Sequence, residues 1–439
     1  MTPGSNILAP PIVTGNYSLR TRLTTLLHRV RGDLIYSAAA FLTSVVAFIG
    51  SLIATRCLAP DEMGIIQTLM LIPTYCAFLH CGVFNGLSRD IALCQGNGDH
   101  DKVQVMVNSS WLTAKAVALI GILISLGLTA HYFLTGSPAL YLWGMVFVFL
   151  TLVAEPFSQH LEIVFLSSRQ FERLGMRILW QNAITFAVGF LPLVAGALGL
   201  VAARCGYILS RLLLRCRGVP IRATGAGSFG QIRELAVIGM PLLFAGVLYM
   251  YLGVADRTLV AWYLTPRDVG NLSLAGLVTT SIQFVPMCLG TLFYPRIARC
   301  YGKTGSAVQL RRYFWLLLGA NVVTVVPACV GMYFLIGPLT EHWFPKYTGG
   351  IPAAQVACLS SLGFLYIGVS AIIAVIRRNT PYVLAHLFAL LFVWILGGYL
   401  IRHGYGIMGA IWARAIAMLL LCVFSLSFAY WLTTREDAT

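Results

Sequence analysis

The chain has 439 residues, of which 58% are hydrophobic and only 10% charged. A soluble surface needs far more charge than this, and the mean hydropathy of +0.82 excludes an ordinary water-soluble globular protein. The net charge of +15 would suggest nucleic acid in a soluble domain. No stretch interleaves aromatic with basic residues as such a surface requires, so no nucleic-acid partner is expected.

Residues 1–33 form a polar tail carrying Arg20, Arg22, Arg29 and Arg31. The apolar run behind it is too long for a signal-peptide core and long enough to cross hydrocarbon, so Leu34 to Thr55 reads as a retained first span. A membrane-sized window places eleven more near 64–87, 109–133, 139–166, 177–195, 196–215, 234–262, 270–294, 312–337, 351–376, 381–401 and 405–432. The expected fold is all-α and polytopic, with twelve transmembrane helices. Its units are a basic tail at 1–33, six-helix lobes at 34–217 and 234–432, a linker at 218–233 and a short tail at 433–439.

The connections sort by charge. One alternate set, including both tails, carries 22 Lys and Arg, whereas the other holds only Arg56, Arg267, Lys346 and Arg402. The positive-inside rule therefore puts both termini in the cytoplasm and makes most of the excess charge topological. The 11 cysteines are odd in number and several, such as Cys76, Cys81, Cys329, Cys358 and Cys422, sit in apolar runs. None forms a Cys-x-x-Cys pair, so they read as small interior residues rather than as disulfides or metal ligands.

The chain repeats itself. Leu58-Ala59-Pro60-Asp61-Glu62-Met63-Gly64 after the first span matches Leu264-Thr265-Pro266-Arg267-Asp268-Val269-Gly270 after the seventh at an offset of 206, and Ile91–Gly96 matches Ile297–Gly302 in the same register. Gly196-x-x-Gly199-x-x-x-x-Arg204 and Gly406-x-x-Gly409-x-x-x-x-Arg414 open the sixth and twelfth spans at an offset of 210. Six spans being an even number, the halves enter the membrane in the same direction and form a parallel repeat. Such pairs enclose a central cleft, and rocking one half against the other exposes it to each face in turn.

Three features together resemble the multidrug/oligosaccharidyl-lipid/polysaccharide (MOP) flippase superfamily and, within it, the Wzx-type polysaccharide exporters. They are the loop Arg56-x-Leu58-x-Pro60-x-x-x-Gly64, the segment Asp256-Arg257-x-Leu259 leading to Leu264-x-Pro266-x-x-x-Gly270, and the glycine-rich entries to spans six and twelve. The resemblance covers nearly the whole chain and departs from the pattern in the long amino tail and in Cys57. It implies a V-shaped pair of six-helix lobes in the bacterial inner membrane. Their cargo would be an oligosaccharide on a polyprenyl pyrophosphate, moved from the cytoplasmic to the periplasmic leaflet without catalysis or cofactor, alone or beside other polysaccharide assembly proteins.

Charges inside the spans cost a few kcal/mol each, so they pair, face water or bind something. Arg204 and Arg414 occupy equivalent positions and read as a matched pair facing the cleft, where guanidinium forks suit a pyrophosphate. Arg257 and Lys115 join them as cargo-binding candidates, with snorkelling as the plain alternative for Arg204 and Lys115. Glu155, Gln159 and Glu162 line one face of the fourth span, and the expectation for Glu155 is either proton coupling or an ion pair with Lys115. Asp256 reads as part of a structural network or as a proton site, and Pro156 as a kink. His80, His160 and His386 read as satisfied interior residues. Trp343 and Trp412 are the aromatics placed to stack on a sugar ring.

Two other functions fit the composition. A cation-coupled multidrug antiporter on the same fold would want an acidic, aromatic cavity, whereas the intramembrane cations here outnumber the acids. A membrane-bound polysaccharide polymerase or ligase would want a long extracytoplasmic loop, and the longest, near 338–350, is too short for a catalytic domain.

Overall fold

The computed structural model describes residues 19–96, 98–376 and 378–434, so the start of the amino tail and the last five residues lie outside that set. Among the described residues there are fourteen α-helices and no strand. The first half holds α1 (Leu19–Cys57), α2 (Pro60–Cys76), α3 (Val83–Gly96), α4 (His100–Leu134), α5 (Ala139–Ser167), α6 (Phe171–Val188) and α7 (Leu191–Cys216). The second holds α8 (Phe229–Tyr263), α9 (Pro266–Thr304), α10 (Arg311–Trp343), α11 (Ile351–Ser361), α12 (Ser370–Ile376), α13 (Asn379–Leu400) and α14 (Gly406–Thr434). Backbone polar groups have no water to bond in hydrocarbon, which is why so apolar a chain closes nearly all its hydrogen bonds within helices.

Among the described residues, ten segments are long and apolar enough to cross a membrane. The 56-residue segment Asn379–Thr434 contains both α13 and α14, while the 18-residue α6 is not among the ten. Several expected boundaries move. Helix α1 begins fifteen residues before the anticipated Leu34. The second span is divided, because Cys81 and Gly82 take positive φ between a 3₁₀ turn and α3. The tenth span is interrupted in the same way around Gly368, at φ +83°. Helix α5, in contrast, runs on through Pro156 as one helix.

Each half is packed by the same plan. In the first, α6 lies between α1 and α7, and α5 between α4 and α7; in the second, α13 lies between α8 and α14, and α11 between α10 and α14. The repeat also shows in the backbone. Gly196 has φ 53° and ψ −129°, and its counterpart Gly406 has φ 52° and ψ −138°. Only glycine occupies that region at low cost, so the same break is built twice, within α7 and at the start of α14.

The halves meet along α2 and α9, with α3 against α8. Near the end away from the basic connections, equivalent residues touch each other. A Cβ on Gly64 would lie 1.6 Å from the carbonyl oxygen of Pro266, and one on Gly270 would lie 1.8 Å from that of Pro60. One turn further, Gln67 Nε2 donates to Ser273 Oγ at 2.7 Å, again a pair 206 residues apart. Helix association in lipid depends on close packing rather than on expelling water, and small residues allow that approach. The Leu-x-Pro-x-x-x-Gly repeats are thus the two faces of one contact.

Candidate functional site

Below this contact, α2 ends against α8. Tyr75 Oη and Thr258 Oγ1 share a hydrogen bond of 2.7 Å, and Tyr251 Oη donates to the Tyr75 carbonyl at 2.9 Å. The seam therefore passes directly beside Arg257. Its guanidinium lies across α9 at Gly276, where a Cβ would come within 2.2 Å of Nη2. Arg257 is half-buried and, among the described residues, has no carboxylate partner of its own.

The neighbouring acid is engaged elsewhere. Asp256 Oδ2 accepts from Arg414 Nη1 at 2.7 Å, and Asp256 Oδ1 accepts the backbone N–H of Arg257 at 2.9 Å. Asp256 is 1% exposed and Arg414 5%, so this is a buried pair joining α8 to α14. Neighbouring Tyr249 accepts from Gln283 Nε2 at 2.7 Å. Two guanidinium groups and one carboxylate leave the cluster net positive, with Arg257 nearest the seam.

Arg204 departs from expectation. It follows the same glycine break as Arg414 and shares a face of α7 with the buried Val201 and Ile208. Its Nε is buried without a partner, and no carboxylate pairs with it among the described residues. The residue 206 positions before Asp256 is Gly50, so the amino-terminal half lacks the acid that holds Arg414. The matched pair across the cleft is replaced by one locked arginine and one unpaired arginine.

Glu155 and Glu162 are brought together, though not with Lys115. Arg211 Nη1 donates to Glu155 at 2.6 Å, Arg211 Nη2 and Arg215 Nη2 each lie 3.2 Å from Glu162 Oε2, and Gln159 Nε2 donates to Glu155 Oε1 at 3.2 Å. Counting Arg211 and Arg215 among the 22 topological charges hid them. The legible signal was their i, i+4 spacing, which matches a stripe of carboxylates on a facing helix. Lys115 is exposed on α4 beside Leu112 (43% exposed) and Leu119 (58%), a lipid-facing composition that places it away from both clusters. Trp111, one turn before Lys115 on α4, turns inward onto Phe157 and His160.

His160 shares a 2.9 Å hydrogen bond with Ser110, and His386 Nδ1 donates to the Tyr382 carbonyl at 2.8 Å. His80 Nδ1 is buried without a partner. Trp343 carries the guanidinium of Arg56 over one face at 5.4 Å and is otherwise half exposed. No group of three His, Cys, Asp or Glu side chains suited to a metal occurs among the described residues.

A model of the family described as polysaccharide biosynthesis protein matches residues 53–346. The chain belongs to this family. Its fold is that of the MOP superfamily, a multi-pass membrane transporter fold. An inward-facing multidrug resistance MATE transporter of that superfamily aligns with TM-score 0.70 at 12% identity, covering 90% of this chain and 96% of the other. The outward-facing form of such a transporter gives TM-score 0.62 at 12% identity over 93% and 96%. The lipid II flippase MurJ in an inward closed conformation gives TM-score 0.62 at 15% identity over 91% and 87%. A search of curated protein sequences gives no significant match.

Proposed function

We propose that this protein flips a polyprenyl-pyrophosphate-linked oligosaccharide from the cytoplasmic to the periplasmic leaflet of a bacterial inner membrane, through twelve crossings with both termini in the cytoplasm. The observation that carries the reading is the unpartnered guanidinium of Arg257 at the seam between the halves, beside an acid already taken by Arg414. An anionic headgroup entering there meets uncompensated positive charge, while its polyprenyl tail stays in lipid and only the polar head crosses. Rocking of the halves about α2 and α9 supplies alternating access. Arg204 offers a second cationic stop on the other half, and Arg414, buried on Asp256, adds its charge to the cluster beside Arg257. Lys115 serves at most as a lipid-facing anchor. Glu155 and Glu162, held by two arginines, form a neutral strut rather than a proton site.

The structural likeness to multidrug transporters favours one rival, export of organic cations. Complementation of a deletion strain separates the two. Arg257→Ala is expected to abolish surface polysaccharide at normal membrane abundance, with Arg257→Lys restoring part of it. Unchanged polysaccharide in Arg257→Ala overturns the proposal, and resistance to organic cations on expression, without any effect on glycan, installs the rival.

A further inference from the structure

We infer that the start of α6 binds the phosphate of an anionic bilayer phospholipid, at a site separate from the seam. Glu172, Arg173, Met176, Arg177 and Trp180 line a groove of ≈ 540 Å³ on the outside of the first half. Arg173, Met176, Arg177 and Trp180 follow i, i+3, i+4, i+7 spacing, so they form one stripe along the helix. The stripe grades from charge to oil. Its first turn offers two guanidinium groups, Met176 is 45% and Trp180 62% exposed, and Ile184 (39%) continues the apolar track one turn deeper. Headgroup, indole and acyl chain occur in that order at a membrane interface, and basic pockets on the cytoplasmic side are where lipid phosphates settle.

Charge complementarity favours an anion. The carboxylate of Glu172 is claimed by Arg31 of α1 at 3.6 Å. Arg173 has a hydrogen bond from Nη1 to Gln170 Oε1 at 3.2 Å, which leaves its charge uncompensated. Arg177 is held in place, its guanidinium stacked 4.4 Å above the ring of buried Phe165, and its Nη1 is buried without a hydrogen-bond partner. The Gly218 turn closes over it, with a Cβ there falling 3.3 Å from Arg177 Nη2. A phosphodiester in the groove would pair with exposed Arg173 and half-buried Arg177, two cations without a carboxylate partner among the described residues, and would do so where α7 ends and the connection between the halves begins.

The test uses the full chain in nanodiscs of phosphatidylcholine with or without phosphatidylglycerol, followed by native mass spectrometry of retained lipid. Wild-type protein is expected to retain phosphatidylglycerol in preference to phosphatidylcholine, and Arg173→Gln/Arg177→Gln to lose that preference by roughly tenfold or more. Equal retention by the variant overturns the site. Preference for polyprenyl phosphate over phosphatidylglycerol at these arginines also overturns it, by assigning the groove to cargo. Trp180 fluorescence, taken as the difference between wild type and Trp180→Phe because the chain has other exposed tryptophans, is expected to be quenched more by bromine-labelled phosphatidylglycerol than by bromine-labelled phosphatidylcholine. This reads the same site without touching the arginines, so a poorly folding double variant leaves the assignment decidable. Equal quenching of that difference signal by the two lipids counts against the site. Because the seam plays no part, Arg257→Ala is expected to keep the lipid preference.

Discussion

The two halves share a backbone and differ in what they bury. Both break at a glycine of nearly identical φ and ψ, both pack their helices in the same order, and both present Pro and Gly to the same contact. Yet the first half holds α5 to α7 with two glutamates and two arginines, while the second holds α8 to α14 with one aspartate and one arginine. At positions equivalent to Asp256 and Arg257 the first half has Gly50 and Ser51. Duplication thus supplied the frame, and charge was placed in it separately on each side.

This contrast is open to direct attack. Asp256→Ala leaves Arg414 buried without its acid and is expected to cost about 3–5 kcal/mol, read as loss of folded protein in detergent melting. Asp256→Leu/Arg414→Met should recover most of that stability. In the first half Glu155→Ala removes one of two carboxylates from a network in which Arg211 still keeps Glu162, and should cost only about 1–3 kcal/mol. Equal losses would mean that the two networks are energetically alike.

Where the halves agree, so should their mutants. Gly196→Ala and Gly406→Ala each force a side chain into a region reserved for glycine, at a cost on the order of 1–3 kcal/mol. A Cβ meets no atom within 4 Å at either position, so the penalty is conformational alone. Melting shifts that differ greatly between them would break the equivalence. The smallest effect is expected from Gly50→Asp, which puts an acid at the position that Asp256 occupies in the second half. There is space for a Cβ at Gly50, and a gain of about 1 kcal/mol with reduced glycan export would show that Arg204 is kept unpaired for use.

The frame was legible because the repeat rests on glycines and prolines that the backbone itself requires. Pro60 with Gly64, Pro266 with Gly270, and the Gly196 and Gly406 breaks all announce themselves in sequence. The divided second and tenth spans did not, since a hydropathy window averages over a Cys81-Gly82 or Gly368 interruption that stays apolar throughout. The site was half legible. Buried charge in a span marks Asp256, Arg257 and Arg414 as significant, but the pairing of Asp256 with a residue 158 positions away is a tertiary fact. Lys115 misled because helical spacing alone says which residues share a face, and not whether that face meets protein or lipid. Arg211 and Arg215 were concealed by their place at the end of a helix, where charge is ordinarily counted as topology.

The stretch joining the halves is irregular between α7 and α8, yet it is tied down. Thr224 N–H donates to Asn108 Oδ1 at 3.1 Å, Ser228 N–H to Ser109 Oγ at 3.0 Å, and Gln104 Nε2 to the Arg222 carbonyl at 2.7 Å. A strap sewn to α4 along its length travels as luggage of the first half instead of hanging as slack cord. The stitching runs on into α8, where Lys102 Nζ lies 3.4 Å from Glu234 Oε1, so parting the two bodies on this side would mean undoing that ion pair as well as turning the chain at Ser228.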